Sequence, residues 1–395
     1  MRRHAAALAS ALLLACASSR LPRVAVEVPF QLTQNHVYLP VTIGNHPPSW
    51  FLLDSGAQIT ALAQTTADAL GLVGHGTGRA RGAGAGVVAT TALDDVDIEL
   101  AGTPIHLPRL PGIPLTPVSL AEGRLIEGIL GTTVIRDFAI EIDYERRLLR
   151  FHDPSSFVAP PGAVVVPVTF YRDRPVVAAE LTLADGRTLP MRMLVDTGAR
   201  GILVNTPFAE RHRIYDAIAP TIAAPFGVGI GGTTHQRVGR ARRFTLAGFV
   251  FDAPIVNAAE DRAGATAGAE VDGLIGSEVL RRFTLTLDYR HRRLLLAPNS
   301  ALHDPFEVEM LGAGFKAADL KFDRILVRYV LPHSPAAEAG LQEGDEIVAV
   351  DGRPAAPLTI GGLRALFTEP DKRHVLRFRH AGRDIDVPIV TRRLV

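Results

Sequence analysis

The chain has 395 residues, enough for two or three domains with cores of ordinary size. With 47% apolar and 21% charged residues it is neither a disordered tail nor a polyelectrolyte, and 42 basic against 41 acidic side chains invite neither nucleic acid nor an anionic membrane surface. A single cysteine excludes an internal disulfide, a zinc cage of several thiolates and an iron–sulfur cluster.

That cysteine is Cys16, directly after a short basic start (Arg2, Arg3) and an apolar run from Ala5 to Ala15, the outline of a secretory signal and too short to span a bilayer. Leu13-Leu14-Ala15-Cys16 resembles a bacterial lipobox. The resemblance implies that Cys16 is acylated and becomes the mature N-terminus, with several acyl chains anchoring an exported, periplasm-facing lipoprotein; ordinary cleavage beside Cys16 is the alternative. Residues 1–16 are then signal and 17–23 a tether.

From residue 24 the chain contains an internal repeat. Ile126 to Tyr144 (IEGILGTTVIRDFAIEIDY) matches Val271 to Tyr289 (VDGLIGSEVLRRFTLTLDY) at seven of nineteen positions. Upstream, Leu52-Leu53-Asp54-Ser55-Gly56-Ala57 matches Leu194-Val195-Asp196-Thr197-Gly198-Ala199. Two copies of one unit therefore fill residues 24–160 and 161–300, with Ala159-Pro160-Pro161-Gly162 at the seam. Within each copy short apolar runs such as Val37 to Ile43, Trp50 to Leu53 and Ala139 to Asp143 are separated by turn residues. Alternation at Ile140, Ile142 and at Leu285, Leu287 predicts half-buried strands, and helix is expected only in segments such as Ala61 to Leu70 and Thr133 to Phe138.

An isolated Asp-Ser-Gly or Asp-Thr-Gly is an ordinary turn. Here both copies carry one after an apolar strand and ahead of a hydrophobic-hydrophobic-Gly segment (Ile129-Leu130-Gly131 and Leu274-Ile275-Gly276), and the strand following that glycine is expected to cross the Asp loop. The arrangement resembles the two-lobed aspartic proteases of the pepsin type, its Gly-Ala ending being closer to the retroviral proteases. The resemblance implies a mainly β, pepsin-like fold of two duplicated lobes with Asp54 and Asp196 as a catalytic dyad at their interface. Ser55 and Thr197 would brace the two loops, and Gly56 and Gly198 would let them approach. Two such carboxylates share a proton, one activating a water and the other donating to a carbonyl, without cofactor, metal or covalent intermediate. The flaps implied by the family would fall at Gly82, Gly84 and Gly86 and at Gly227, Gly229 and Gly231, although neither carries the tyrosine of the pepsin flap.

The last residues, 301–395, differ in character, and Asn299-Ser300 and Asp304-Pro305 punctuate the change. Ser334 to Gly352 (SPAAEAGLQEGDEIVAVDG) resembles a bacterial PDZ domain, an α+β module, with a helix near Ile360 to Phe367 and strands near Val375 to Arg379 and Ile385 to Val390. Gly312-Ala313-Gly314-Phe315 then corresponds to the loop that receives a peptide's C-terminal carboxylate, the peptide adding as a strand. The chain's own Leu394-Val395 end is one candidate occupant. Arginine runs at Arg240, Arg242, Arg243 and at Arg290, Arg292, Arg293 read as solvated faces. No HExxH, GxSxG, SxxK or P-loop lysine occurs. The sequence therefore points to an aspartic endopeptidase, monomeric because one chain supplies both halves, whose PDZ module recruits or gates polypeptides. The competing reading is an inactive protease scaffold acting as a peptide-binding envelope adaptor.

Overall fold

The structure, a computed structural model, describes residues 26–395; Cys16 and the signal lie outside the described residues. It is mainly β, two protease-like lobes followed by a PDZ domain. In the first copy an eight-stranded sheet runs through Gln31–Thr33, His36–Ile43, Ser49–Leu53, Gly128–Leu130, Ala61–Ala63, Thr103–Ile113, Val88–Leu100 and His75–Ala80. The second copy repeats the central motif with Thr188–Val195, Gly273–Ile275 and Ile202–Val204 as neighbours. Ala61–Ala63 is strand and the helix begins only at Gln64, because pairing with Gly128–Leu130 and with Gly112 and Ile113 overrides the local helical preference of alanine. The other helical expectation shortens to Thr132–Ile135.

A six-stranded sheet joins the lobes, three strands from each, in the order Val26–Pro29, Leu148–His152, Ala139–Asp143, Phe283–Asp288, Arg293–Pro298, Val164–Pro167. Its central pair sets Ile140 opposite Leu287 and Ile142 opposite Leu285. The alternation there does not mark half-buried strands: every residue of Ala139–Asp143 is buried. The polar face, Glu141 and Asp143, is covered by Arg150 and His152, so the period-two pattern separates an apolar core from a buried charged layer.

The PDZ domain has its own core and is fixed to the second lobe through its linker. Arg282, fully buried, donates to the carbonyls of Glu278 (2.9 Å), Leu302 (3.2 Å) and Asp304. Arg240 is no solvated arginine either. It donates to the Phe306 carbonyl (2.9 Å) and to the carbonyl of the last residue, Val395 (3.2 Å), closing the chain end against the lobe. The C-terminal Val395 is thereby held on the second lobe, and Leu394 comes beside Gly312.

The edge strand of the PDZ sheet, Ala313–Ala317, pairs only with Ile325–Val330 among the described strands and packs against the helix Thr116–Glu122 of the first lobe. At its head the Glu309 carboxylate accepts the backbone N–H groups of Leu311 and Gly312 (3.1 Å). Burial pushes the Glu309 carboxyl up from 4.5 to about 7, against those donors and Arg364. A raised carboxyl binds its proton more tightly folded than unfolded, so this group's contribution falls as pH rises from about 4.5 to about 7 and is level above that. Glu309→Gln should remove the decline: relative to the variant, the wild type should lose roughly 1–3 kcal/mol of stability between pH 4.5 and 7, read from urea midpoints.

Candidate active site

Each Asp loop leaves its strand at the same point. Asp54 follows Ser49–Leu53 and its N–H bonds the Leu130 carbonyl (3.1 Å); Asp196 follows Thr188–Val195 and bonds Ile275 (3.0 Å). The strand that ends at the hydrophobic-hydrophobic-Gly segment runs parallel to the Asp strand, and the chain after the glycine is a short helix, not a strand, whose first residue holds the loop: Thr132 N–H donates to the Ala57 carbonyl and Ser277 N–H to Ala199, both at 2.9 Å. The glycine itself is packed against the loop: a Cβ at Gly131 would lie 2.3 Å from the Ile59 carbonyl oxygen.

The loops meet through reciprocal hydrogen bonds. The Ser55 hydroxyl donates to the Val195 carbonyl (2.7 Å) and accepts from the Thr197 N–H (3.1 Å); the Thr197 hydroxyl donates to the Leu53 carbonyl (2.7 Å) and accepts from the Ser55 N–H (3.0 Å). Both side chains are completely buried. Gly56 and Gly198 lie against the opposite carboxylates, where an added Cβ would stand 2.3 Å from Asp196 Cγ and 2.4 Å from Asp54 Cγ. The structure thus brings Asp54, Ser55, Gly56, Asp196, Thr197 and Gly198 into one cluster.

Asp54 Oδ1 accepts the N–H groups of Gly56 and Ala57, both at 2.9 Å, and Asp196 Oδ1 accepts that of Gly198 at 3.0 Å. Burial raises both carboxyls above their ordinary range, and the charge of Asp54 adds to burial in lifting Asp196 further. Such a pair holds one proton between two carboxyls and titrates as a unit. It can accept a proton from water with one member while donating with the other.

Both glycine-rich stretches are hairpin tips, and they touch. The first lies between His75–Ala80 and Val88–Leu100, the second between Ile222–Gly229 and Gly232–Arg240. Gly84 N–H donates to the Ile230 carbonyl (3.0 Å) and Gly86 N–H to Gly231 (2.8 Å), while Gly82 accepts from Ala265 (3.1 Å). A Cβ at Gly84 would fall 2.4 Å from the Gly231 carbonyl carbon, so the contact needs glycine. Gly229 faces Gly232 across its turn and Gly227 faces Thr234, within the hairpin. Ile230, the apolar tip, packs on a cluster of the first lobe that includes Tyr38, Leu52, Ile126 and Ile129. The second lobe has the corresponding cluster, Val176, Leu194, Val271 and Leu274. Leu52 and Leu194 precede the aspartates by two residues and so share their side of the strand.

Sequence reasoning missed a buried charged bridge between the lobes. Glu122 accepts from His36 Nδ1 (3.0 Å) and from Arg200 (2.6 Å), four residues beyond Asp196. Burial works to raise the Glu122 carboxyl, but His36 and Arg200 outweigh it and hold it at about 2. Its one signal was the difference between copies, Gln58 in the first where Arg200 stands in the second.

Ser55→Ala leaves the Val195 carbonyl and Thr197 N–H unpaired in a dry interface and should cost about 2–4 kcal/mol in urea-unfolding free energy, whereas Ser55→Thr, the second lobe's own choice, should cost under about 1 kcal/mol. Glu122→Gln strands the Arg200 guanidinium and weakens the His36 contact, and should cost about 2–4 kcal/mol at pH 7, falling away as pH approaches 2 where the wild-type carboxyl protonates.

An aspartyl protease family model matches residues 39–134 and 179–279, one stretch around each Asp loop. A PDZ domain model matches residues 326–379, beginning after the Gly312–Phe315 turn. No curated protein matches the chain. The chain carries an aspartyl protease domain of the retropepsin-like kind, built from two halves, followed by a PDZ domain.

Proposed function

We propose that the chain is an aspartic endopeptidase in which Asp54 and Asp196 hydrolyse peptide bonds of polypeptides delivered or admitted by the PDZ domain. The observation that carries this reading is the reciprocal packing of each carboxyl on the other lobe's glycine, with both carboxyls raised and both loops locked by buried hydroxyls. A water lying between the carboxyls loses a proton to the ionised member and attacks the scissile carbon; the protonated member donates to the carbonyl oxygen. The proton then returns through the pair to the leaving nitrogen, so no covalent intermediate forms.

The meeting flap tips support the same reading, because Ile230 reaches the cluster that holds Leu52, two residues before Asp54, where a closed pair of flaps would shelter the reaction from bulk water. The two apolar clusters beside Leu52 and Leu194 favour substrates with apolar side chains on both sides of the scissile bond.

Cleavage of an unfolded polypeptide should fall at least about a hundredfold in Asp54→Asn and in Asp196→Asn, with folding retained by circular dichroism. The wild-type rate should be bell-shaped in pH: one limb falls in acid as both carboxyls protonate, the other falls as the shared proton leaves. Because burial and the charge of Asp54 raise Asp196, the upper limb should lie above the ordinary carboxylate range. Undiminished cleavage by either variant would overturn the assignment.

Export and lipid anchoring through Cys16 belong to the same proposal; among the described residues no helix is long and apolar enough to cross a membrane. Metabolic labelling with a palmitate analogue should mark the wild type and leave Cys16→Ala unmarked, and label that persists in the variant contradicts the anchor.

A further inference from the structure

The open side of a sheet edge admits either a helix at about 10 Å or an added strand at about 4.8 Å, not both. The edge strand Ala313–Ala317 packs against the first-lobe helix Thr116–Glu122. Just past that helix, Gly123 abuts Ile360 at the start of the PDZ helix Ile360–Ala365; a Cβ there would stand 2.9 Å from the isoleucine side chain. Gln34 ties the contact, donating to the Glu122 carbonyl (2.7 Å) and accepting from Arg364 of the PDZ helix. What remains between the strand, the helix and Gly123 is an apolar cavity of about 160 Å³, bordered by Ala317, Phe322, Ile325, Leu358 and Ile360.

Two features show what this groove is chemically fitted to hold. Its edge strand offers main-chain pairing to an extended segment, and its head turns backbone N–H groups onto a carboxylate, occupied here by Glu309. An extended chain ending in a free carboxylate, with one apolar side chain for the cavity, matches both.

The same surface reaches the second flap. Tyr329, on the strand paired with the edge strand, lies against Gly314, where a Cβ would be 2.1 Å from its ring, and meets Phe226 edge-on at 5.7 Å. Arg328 donates to the Phe226 carbonyl at 2.9 Å. Phe226 belongs to the flap strand Ile222–Gly229, four residues before the tip Ile230, and the first-lobe helix packs against that strand as well. One helix and one tyrosine therefore connect groove and flap.

We propose that the PDZ groove is held shut by the chain's own first lobe, and that a polypeptide carboxy-terminus taking the groove displaces the Thr116–Glu122 helix and frees the second flap, switching cleavage on. This rests on the endopeptidase reading for its output, while the occlusion itself does not. A groove closed most of the time binds more weakly by the fraction of time it is open.

The test uses the full-length chain and fluorescein-labelled decapeptides with apolar ends, as free acids and as carboxy-terminal amides. By anisotropy, Gln34→Ala should bind the free acids at least about tenfold tighter than wild type, and Phe226→Ala likewise; the amides should bind neither. Free-acid peptide should raise wild-type cleavage of an unfolded polypeptide several-fold, while Phe226→Ala should start at the raised rate and gain nothing from peptide. Equal affinities in wild type and both variants, or no binding of free acids to any form, would overturn the occlusion. Tighter binding in the variants without stimulated cleavage in an active wild type would overturn the coupling to the flap. Absence of cleavage from every form would count against the endopeptidase reading and leave the anisotropy result to decide the occlusion. Should Phe226→Ala fail to fold, Arg328→Ala with Tyr329→Ala removes both flap contacts from the PDZ side.

Discussion

Two acidic side chains repel when placed side by side, and everything distinctive here follows from forcing Asp54 and Asp196 to stay there. The force is supplied by Ser55 and Thr197, whose hydroxyls each donate to the opposite lobe's backbone and each accept the other's N–H. Four hydrogen bonds in a space with no water have no alternative partners, so breaking any one strands two polar groups. Once the loops are locked, Gly56 and Gly198 are obligatory, because any side chain would meet a carboxyl carbon. The shared six-stranded sheet beneath then resists separation of the lobes, with three strands contributed by each copy.

Around that symmetric centre the copies have diverged. The first flap offers only glycine and alanine at its tip, whereas the second carries Ile230 into the first lobe's apolar cluster. Arg200 stands where the first copy has Gln58, and the partner it needs, Glu122, comes from a helix of the first lobe. A carboxylate held at about 2 between His36 and Arg200 remains charged throughout the range in which the dyad exchanges protons, so it pins one lobe to the other without competing for the shared proton.

The duplicated Asp loops and the PDZ module were legible because each is encoded locally, by a repeat, by glycines at fixed offsets or by one continuous motif. What escaped was encoded by meetings at a distance. His36 and Glu122 are 86 residues apart, Glu122 and Arg200 are 78 apart, and nothing in either neighbourhood names the other. Arg240 read as surface charge because a spacing count sees only its own strand, whereas its partners are carbonyls of the linker and of the chain end. The helical start at Ala61 and the half-buried reading of the strand through Ile140 and Ile142 failed for the same reason: pairing with non-local strands decided both.

The contact between PDZ domain and protease is built with less than full electrostatic satisfaction. Arg364 lies half-buried at the junction, yet among the described residues its hydrogen-bond partner is the neutral Gln34, and no carboxylate reaches ion-pair distance. Burial, and then the nearby Arg200, hold its guanidinium down to about 10. A half-buried cation without a paired anion costs free energy that good packing must offset, so the docked arrangement is held by shape, through Gly123 on Ile360 and Phe226 on Tyr329, while its charges oppose it. An interface of that kind needs only a modest competing ligand to open, and a ligand that brings a carboxylate to this cluster of arginines relieves the very imbalance that docking imposes.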